Sequence, residues 1–384
     1  MAKMQFGYRK SLECMRGLLL PYLGLVLAAS AGPAAWGQDA PAAPAPTISR
    51  ITGRLEARQL GLVVNRADPY SVAVGAHYRR ARRLTTEQVL EVDLPPGSQL
   101  GIEDFERLRG AIAAHFGDNI QALALAWVTP YAVGCNSLVG ALALGYDEAL
   151  CQNSCRPSRP SPLFNSPSGR PWKDHRVRPS MHLAAESVAS ARALAERGVR
   201  ADGSLGRRGA STVRARLLTT GDTARNVRAR LYPPPGLLRR PGVLIEVEAA
   251  EAAARAPSQA NGTPGAPVLL VQTGQAQLAS LPRQRWVAGA LAAHLTSYGG
   301  QLDAPGDGQS SAMAWIEGGA TASHGSASDP CAHVQKFPHP QLLLGHYLQG
   351  ATAIEAYWKS VAWPQQSVFI GEPLAAPYAA RAAP

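Results

Sequence analysis

His324-Gly325 and Cys331 stand close enough in the chain to meet across one loop. An imidazole beside a thiol lowers the thiol pKa and accepts its proton, as a cysteine nucleophile requires. His324 and Cys331 are therefore the candidate catalytic pair. His333, His339, His346 and Asp329 crowd the same stretch. Imidazoles with a carboxylate can ligate zinc, but His333 and His339 lack the three- or four-residue spacing of ligands on one helix face, so no metal is expected. Asp68, Glu317 and Glu372 are scattered acids that would suit glycoside hydrolysis if folding paired them. Glu355, Trp358 and Lys359 fall at i, i+3 and i+4. That spacing reads as a surface ion pair worth about 0.2–0.5 kcal/mol, with Trp358 as packing or a sugar platform. No G-x-G-x-x-G or P-loop occurs, so no nucleotide cofactor is expected.

The remaining cysteines compete with the catalytic reading. Of the five cysteines, Cys14 lies in the N-terminal leader, residues 1–37, so Cys135, Cys151, Cys155 and Cys331 are an even set, and in an exported chain that suggests two disulfides out of three possible pairings. A local Cys151–Cys155 link would leave Cys135 with Cys331. A bridge closing so long a loop stabilises by about 4–5 kcal/mol in the chain-entropy model.

Export is read from residues 1–37. Lys3, Arg9, Lys10 and Arg16 precede the apolar run Leu18–Ala31, and Ala35-Trp36-Gly37 offers a small-x-small cleavage site. This is the pattern of a secretory signal peptide. The apolar run is short of the roughly 20 residues a bilayer span needs, so no permanent membrane span is expected and the location is periplasmic or secreted. Residues 38–54 form an Ala/Pro linker, 55–378 a single domain and 379–384 a tail. The net charge of +11, about +8 without the leader, favours an anionic envelope component as partner. Arginines do not interleave regularly with aromatic residues, so nucleic acid is not expected.

The elements that must position these residues alternate. Leu60–Asn65, Gln88–Leu94 and Ile120–Val128 read as strands. Between them lie helices opened by Asp68-Pro69, an N-cap followed by proline at the first helical position, and marked by Ile102, Phe105, Leu108 and Ile112. Further strands are expected at 213–219, 243–247, 268–272, 320–324 and 368–370. Helices are expected at 138–144, 178–198, 224–231, 286–295, 312–317, 342–348 and 352–361. Residues 149–178, rich in Pro, Ser and Arg, read as a surface loop insertion. Strand–helix alternation predicts an α/β fold: three layers, a mostly parallel central sheet, helices on both faces. No internal repeat is visible. Ligands of such sheets bind beyond the strand C-termini. That rule singles out Asn65–Asp68, Thr129, Thr219–Asp222 and Thr273-Gly274.

Several blocks resemble a family of exported bacterial proteins of unknown function: DPYSVAVG (68–75), FPHP (337–340), IEAYWKSVA (354–362) and IGEPLAAPY (370–378). More weakly, Val268–Gly371 resembles the C-terminal part of caspase-like and gingipain-like peptidases in topology. Gly371-Glu372-Pro373-Leu374 matches their closing turn and Gly319-Ala320-Thr321 an earlier Gly-Ala step. Gln272-Thr273-Gly274 replaces their His-Gly, and no cysteine stands near Thr296-Ser297, where their nucleophile is expected. The resemblance implies their scaffold without their dyad, and leaves Thr296 and Ser297 as ligand-binding candidates. The expected function is a non-catalytic ligand- or envelope-binding protein. The alternative is a secreted hydrolase, either a caspase-like cysteine peptidase or a carboxylate-based glycosidase.

Overall fold

Fourteen strands and ten α-helices are assigned in the computed structural model, which describes residues 46–239, 241–255, 266–278, 284–304, 306 and 308–380. The leader, residues 38–45 of the linker and the end of the tail lie outside the described residues. The first part of the chain runs β1 (Leu60–Asn65), α1 (Pro69–Arg82), β2 (Val89–Val92), β3 (Gln99–Leu100), α2 (Ile102–His115), β4 (Ala122–Leu125), β5 (Ala132–Val133), β6 (Asn136–Ser137) and α3 (Leu138–Leu144). Next come α4 (Ala149–Gln152), α5 (Pro171–His175), β7 (Ser180–His182) and α6 (Val188–Ala201). The second part runs β8 (Val213–Thr219), β9 (Gly236–Leu238), β10 (Val243–Ala249), α7 (Ala250–Arg255), β11 (Val268–Thr273), β12 (Trp286–His294), α8 (Met313–Glu317), β13 (Ala322–Ser326), α9 (Pro340–Leu348), α10 (Ala353–Ser360) and β14 (Ser367–Gly371).

Eleven strands form one sheet in the order β2-β1-β4-β7-β14-β13-β12-β11-β8-β10-β9. The fold is α/β with a mostly parallel central sheet, as the alternation predicts. β2, β1, β4, β7 and β14 pair in parallel, and so do β13, β12, β11, β8 and β10. β14 meets β13 antiparallel. The two sets therefore run in opposite directions, and their C-terminal ends lie at opposite edges of the sheet. Each set takes its first four parallel strands in the order second, first, third, fourth: β2-β1-β4-β7 and β10-β8-β11-β12. The chain thus carries a topological repeat that its sequence does not display.

Two segments expected to be helical contribute strands. β12, expected as a helix at 286–295, is an apolar run without alternation because its C-terminal part is buried on both faces. Such a run has no period that separates strand from buried helix. Gly289 in β12 takes φ 86° and lies where a Cβ would meet Ala201 and Pro377 at 3.0 Å. In 178–198 the helix starts only at Val188. Ser180–His182 is wholly buried between β4 and β14, and Trp358 Nε1 donates to Ser180 O at 3.1 Å. The stretch 224–231 holds only a 3-10 turn at Ala229–Leu231.

Two further expectations change because α10 is buried all round. Glu355 and Lys359 are not a surface pair. Glu355 Oε2 accepts from Leu55 N at 3.1 Å and from Thr352 N and Oγ1, while Lys359 Nζ donates to Ser166 O and Ser168 O at 2.7 and 2.6 Å. Within the 149–178 insertion, Ser166 and Ser168 therefore pack onto α10, while residues 151–157 stay mostly exposed. Residues 46–54 are likewise held: Ser49 N donates to Asn165 Oδ1, Ile51 N to Gln349 Oε1 and Thr52 N to Pro167 O.

Candidate functional site

The first half of the sheet ends in an open cleft of about 420 Å³. It lies over the boundary between β1 and β4, where the strand order reverses, and the ends of β1, β2, β4 and β7 line it. Asp68 and Thr129, both picked out by the strand-end rule, share it. Asp68 Oδ1 accepts from Tyr70 N at 2.9 Å and caps α1, so its carboxyl is fixed at the cleft wall. Asn65 Oδ1 accepts from Ala67 N and Leu94 N and holds the β1 and β2 loops together. Tyr70 Oη donates to Leu183 O and accepts from Ala185 N, both at 2.9 Å, joining α1 to the β7 loop. Burial raises the Tyr70 phenol pKa, and Asp68 and Glu317 add to the shift. Pro95, Pro96 and Val128 supply apolar wall, and Glu186 a second carboxyl.

The corresponding ends in the second half are filled. Thr273 is fully buried, with its Oγ1 accepting from Gln275 N. A Cβ at Gly274 would lie 2.4 Å from Arg225 O and 2.6 Å from Thr220 Cγ2, so neither Thr273 nor Gly274 faces open space. Thr296 and Ser297 do line a smaller cleft of about 240 Å³ with Arg225, Asp329, Cys331 and Phe337. Thr296 Oγ1 already donates to Gln309 Oε1. The six candidate ligand residues thus divide between opposite edges of the sheet.

The candidate dyad is not assembled. Cys331 is bonded to Cys155, and Cys135 to Cys151, with Cα separations of 5.3 and 5.0 Å. This corrects the local Cys151–Cys155 pairing: Cys151 turns back toward the β5–β6 turn, which frees Cys155 for the long link. A sulfur in a disulfide is no nucleophile. His324 is fully buried in β13, with Nε2 at 3.0 Å from Ser367 Oγ. Burial, together with the positive charge of Arg228, holds its pKa well below the usual histidine value.

The acids also separate. Both Glu317 oxygens are engaged at the start of α6, accepting from Glu186 N at 2.9 Å and Ser190 Oγ at 2.8 Å. Glu372 is buried against Arg82, with contacts of 2.8 and 2.6 Å, and accepts from Tyr78 Oη at 2.5 Å. Trp358 is a core residue, its ring centroid 5.1 Å from that of Phe369. Among the described residues no three His, Cys, Asp or Glu side chains converge as a metal-ion site, and no helix is long and apolar enough to cross a membrane. Tyr70, Glu186 and Arg228 escape sequence reasoning. Glu186 would have joined the strand-end set had Ser180–His182 read as a strand.

No family model and no curated protein matches this chain. Among solved structures it is similar to the Arg-specific cysteine proteinase gingipain R, at a TM-score of 0.42 and 11% identity over 85% of this chain and 80% of that one. It is also similar to a complex of the pro- and mature domains of Porphyromonas gingivalis RgpB, at a TM-score of 0.39 and 9% identity over 84% and 79% of the two chains.

Proposed function

We propose that this is a non-catalytic ligand-binding protein of the periplasm or exterior, and that its site is the first-half cleft. The observation that carries the reading is the convergence of four strand ends at a topological switch point, where open α/β sheets bind ligands. Asp68 and Glu186 give that cleft a negative lining, with apolar wall on the other side. Amine-bearing ligands fit this chemistry and anions oppose it. The basic surface is a separate matter. Arg79, Arg80 and Arg83 at the end of α1, with Arg192 and Arg200 on α6, are exposed and support attachment to an anionic envelope component. The leader pattern and the two disulfides support the location.

Calorimetric titration with spermidine and glucosamine, against N-acetylglucosamine as the neutral control, tests the cleft. Binding is expected for the amines, weakened about tenfold or more by the double variant Asp68→Asn/Glu186→Gln, since a charged hydrogen bond is worth about 1.5–3 kcal/mol. Absence of binding by either amine, or an unchanged affinity in the double variant, would reject the reading. Thiol titration of the native protein should find all four cysteines blocked. A fast-reacting Cys331 would restore the cysteine hydrolase in its place.

A further inference from the structure

Arg228 is 1% exposed, yet it has no carboxylate partner among the described residues. Its Nη2 donates to Thr273 O at 2.8 Å, while Nε and Nη1 meet no acceptor. A buried guanidinium is ordinarily paired, because an uncompensated charge in the interior is strongly unfavourable. Two more unpartnered polar atoms lie on the sheet nearby. Gln272, Ala293 and His324 are in register across β11, β12 and β13. In-register neighbours of parallel strands point to the same face, so the small Ala293 methyl sits between two long polar side chains. Gln272 Oε1 and His324 Nδ1 are both buried without a partner. Gln272 Nε2 is occupied at Pro338 O, 3.3 Å away, and His324 Nε2 at Ser367.

Phe337 packs against two of the three residues, with its ring centroid 6.0 Å from that of His324. Its ring lies 5.8 Å from the Arg228 guanidinium carbon, and the same residue lines the Thr296–Ser297 cleft. The segment carrying Phe337 follows Cys331, which the disulfide ties to Cys155.

We propose that Arg228, Gln272 and His324 form an enclosed receptor for a small carboxylate that bears a hydroxyl or amide N–H next to it, reached from the Thr296–Ser297 cleft past Phe337. The planar guanidinium fork matches the two oxygens of a carboxylate. The adjoining donor answers the Gln272 carbonyl, which can only accept. This site is independent of the acidic cleft, which selects ligands of the opposite charge.

The test uses the oxidised protein without its leader, with L-lactate, propionate and inorganic phosphate as probes. Lactate should raise the melting temperature saturably, by about 2–4 °C at a hundredfold excess over its Kd. Propionate, which lacks the hydroxyl, should bind about tenfold more weakly or worse, and phosphate should give no shift. Arg228→Met should abolish the lactate response while melting no lower than the parent, because it removes an uncompensated charge. Lack of any lactate response, an equal response in Arg228→Met, or an equal shift with phosphate would overturn the proposal. If Arg228→Met does not fold, Gln272→Leu decides: loss of the preference for lactate over propionate supports the site, and an unchanged preference rejects it.

Discussion

Arg82 and Arg228 each follow the first strand of a half-sheet with the same strand order, and both are buried. Arg82 is saturated: Glu372 takes Nε and Nη2, and Asp202 takes Nη1 at 2.5 Å. Gly198 on α6 makes room for Glu372, whose Cγ would lie 2.3 Å from a Cβ there. The network fastens α1 and α6 to the loop after β14, and the cleft over β1 and β4 stays open. In the second half Arg228 binds the strand-end carbonyl of Thr273, Phe337 lies against its guanidinium, and Thr220 and Arg225 close on Gly274 next to it. The same topology gives an open acidic cleft in one half and filled strand ends beside a buried arginine in the other. The difference lies in where each half puts its buried arginine and in what neutralises it.

The largest expected effect is on the covalent link into the closed half. Cys155 and Cys331 are 176 residues apart and Cys135 and Cys151 only 16. The chain-entropy model gives about 5 kcal/mol for the long loop and about 3 for the short one. The double variant Cys155→Ser/Cys331→Ser should therefore lose more stability in urea unfolding than Cys135→Ser/Cys151→Ser. The reverse order would mean that the long link does not hold the closed half. Next comes the arginine contrast. Arg82→Met should lose about 3–5 kcal/mol, because it leaves Glu372 buried without a counter-charge and held only by the Tyr78 hydroxyl, whereas Arg228→Met should lose none. Equal losses in the two variants would erase the distinction between the halves.

Much of the sheet was legible because its strands are short apolar or alternating runs bounded by turn residues. Leu60–Asn65, Val213–Thr219 and Val268–Thr273 match their expected positions closely. β7 was not, since three residues that include Ser180 and His182 carry no strand period and are held only by neighbours distant in sequence. Missing β7 and β12 hid the reversal at β14, and with it the division of the candidate residues between two edges. That Asp68 and Thr129 stand at strand ends was legible because a strand followed by a cap or a proline is a local signal. Arg228 was not, because burial of an arginine depends on Phe337 and Thr273, which no local pattern links to it.

A pH titration sharpens the comparison further. In the second half His294 Nδ1 accepts from Trp315 Nε1 at 3.0 Å, and Nε2 lies 2.8 Å from Ser310 O. An indole N–H only donates, so Nδ1 is unprotonated and Nε2 carries the hydrogen. Burial lowers the His294 pKa to about 4, and that of His182 in the first half likewise to about 4. The unfolded chain takes up these protons near the ordinary value of about 6.5. Stability from the neutral imidazoles is thus complete above pH about 6.5 and is lost as pH falls toward 4, on the order of 3 kcal/mol for each group. The urea midpoint should fall steadily over that window, less so in His294→Gln. A flat midpoint would show that the imidazoles are not held neutral.

The smallest effect separates the two roles of Asp68. Its Oδ1 caps α1 through Tyr70 N, and the same carboxyl lines the cleft. Asparagine retains the capping oxygen and loses the charge, so Asp68→Asn should stay within about 0.5 kcal/mol of the parent, whereas Asp68→Ala should lose about 1 kcal/mol. Both should weaken spermidine binding. Stability and affinity therefore part company in the asparagine variant alone, and calorimetry beside urea unfolding reads both. If Asp68→Asn lost as much stability as alanine and kept its affinity, the charge would be serving the α1 dipole. The open half would then lack the electrostatic selectivity that sets it apart from the closed one.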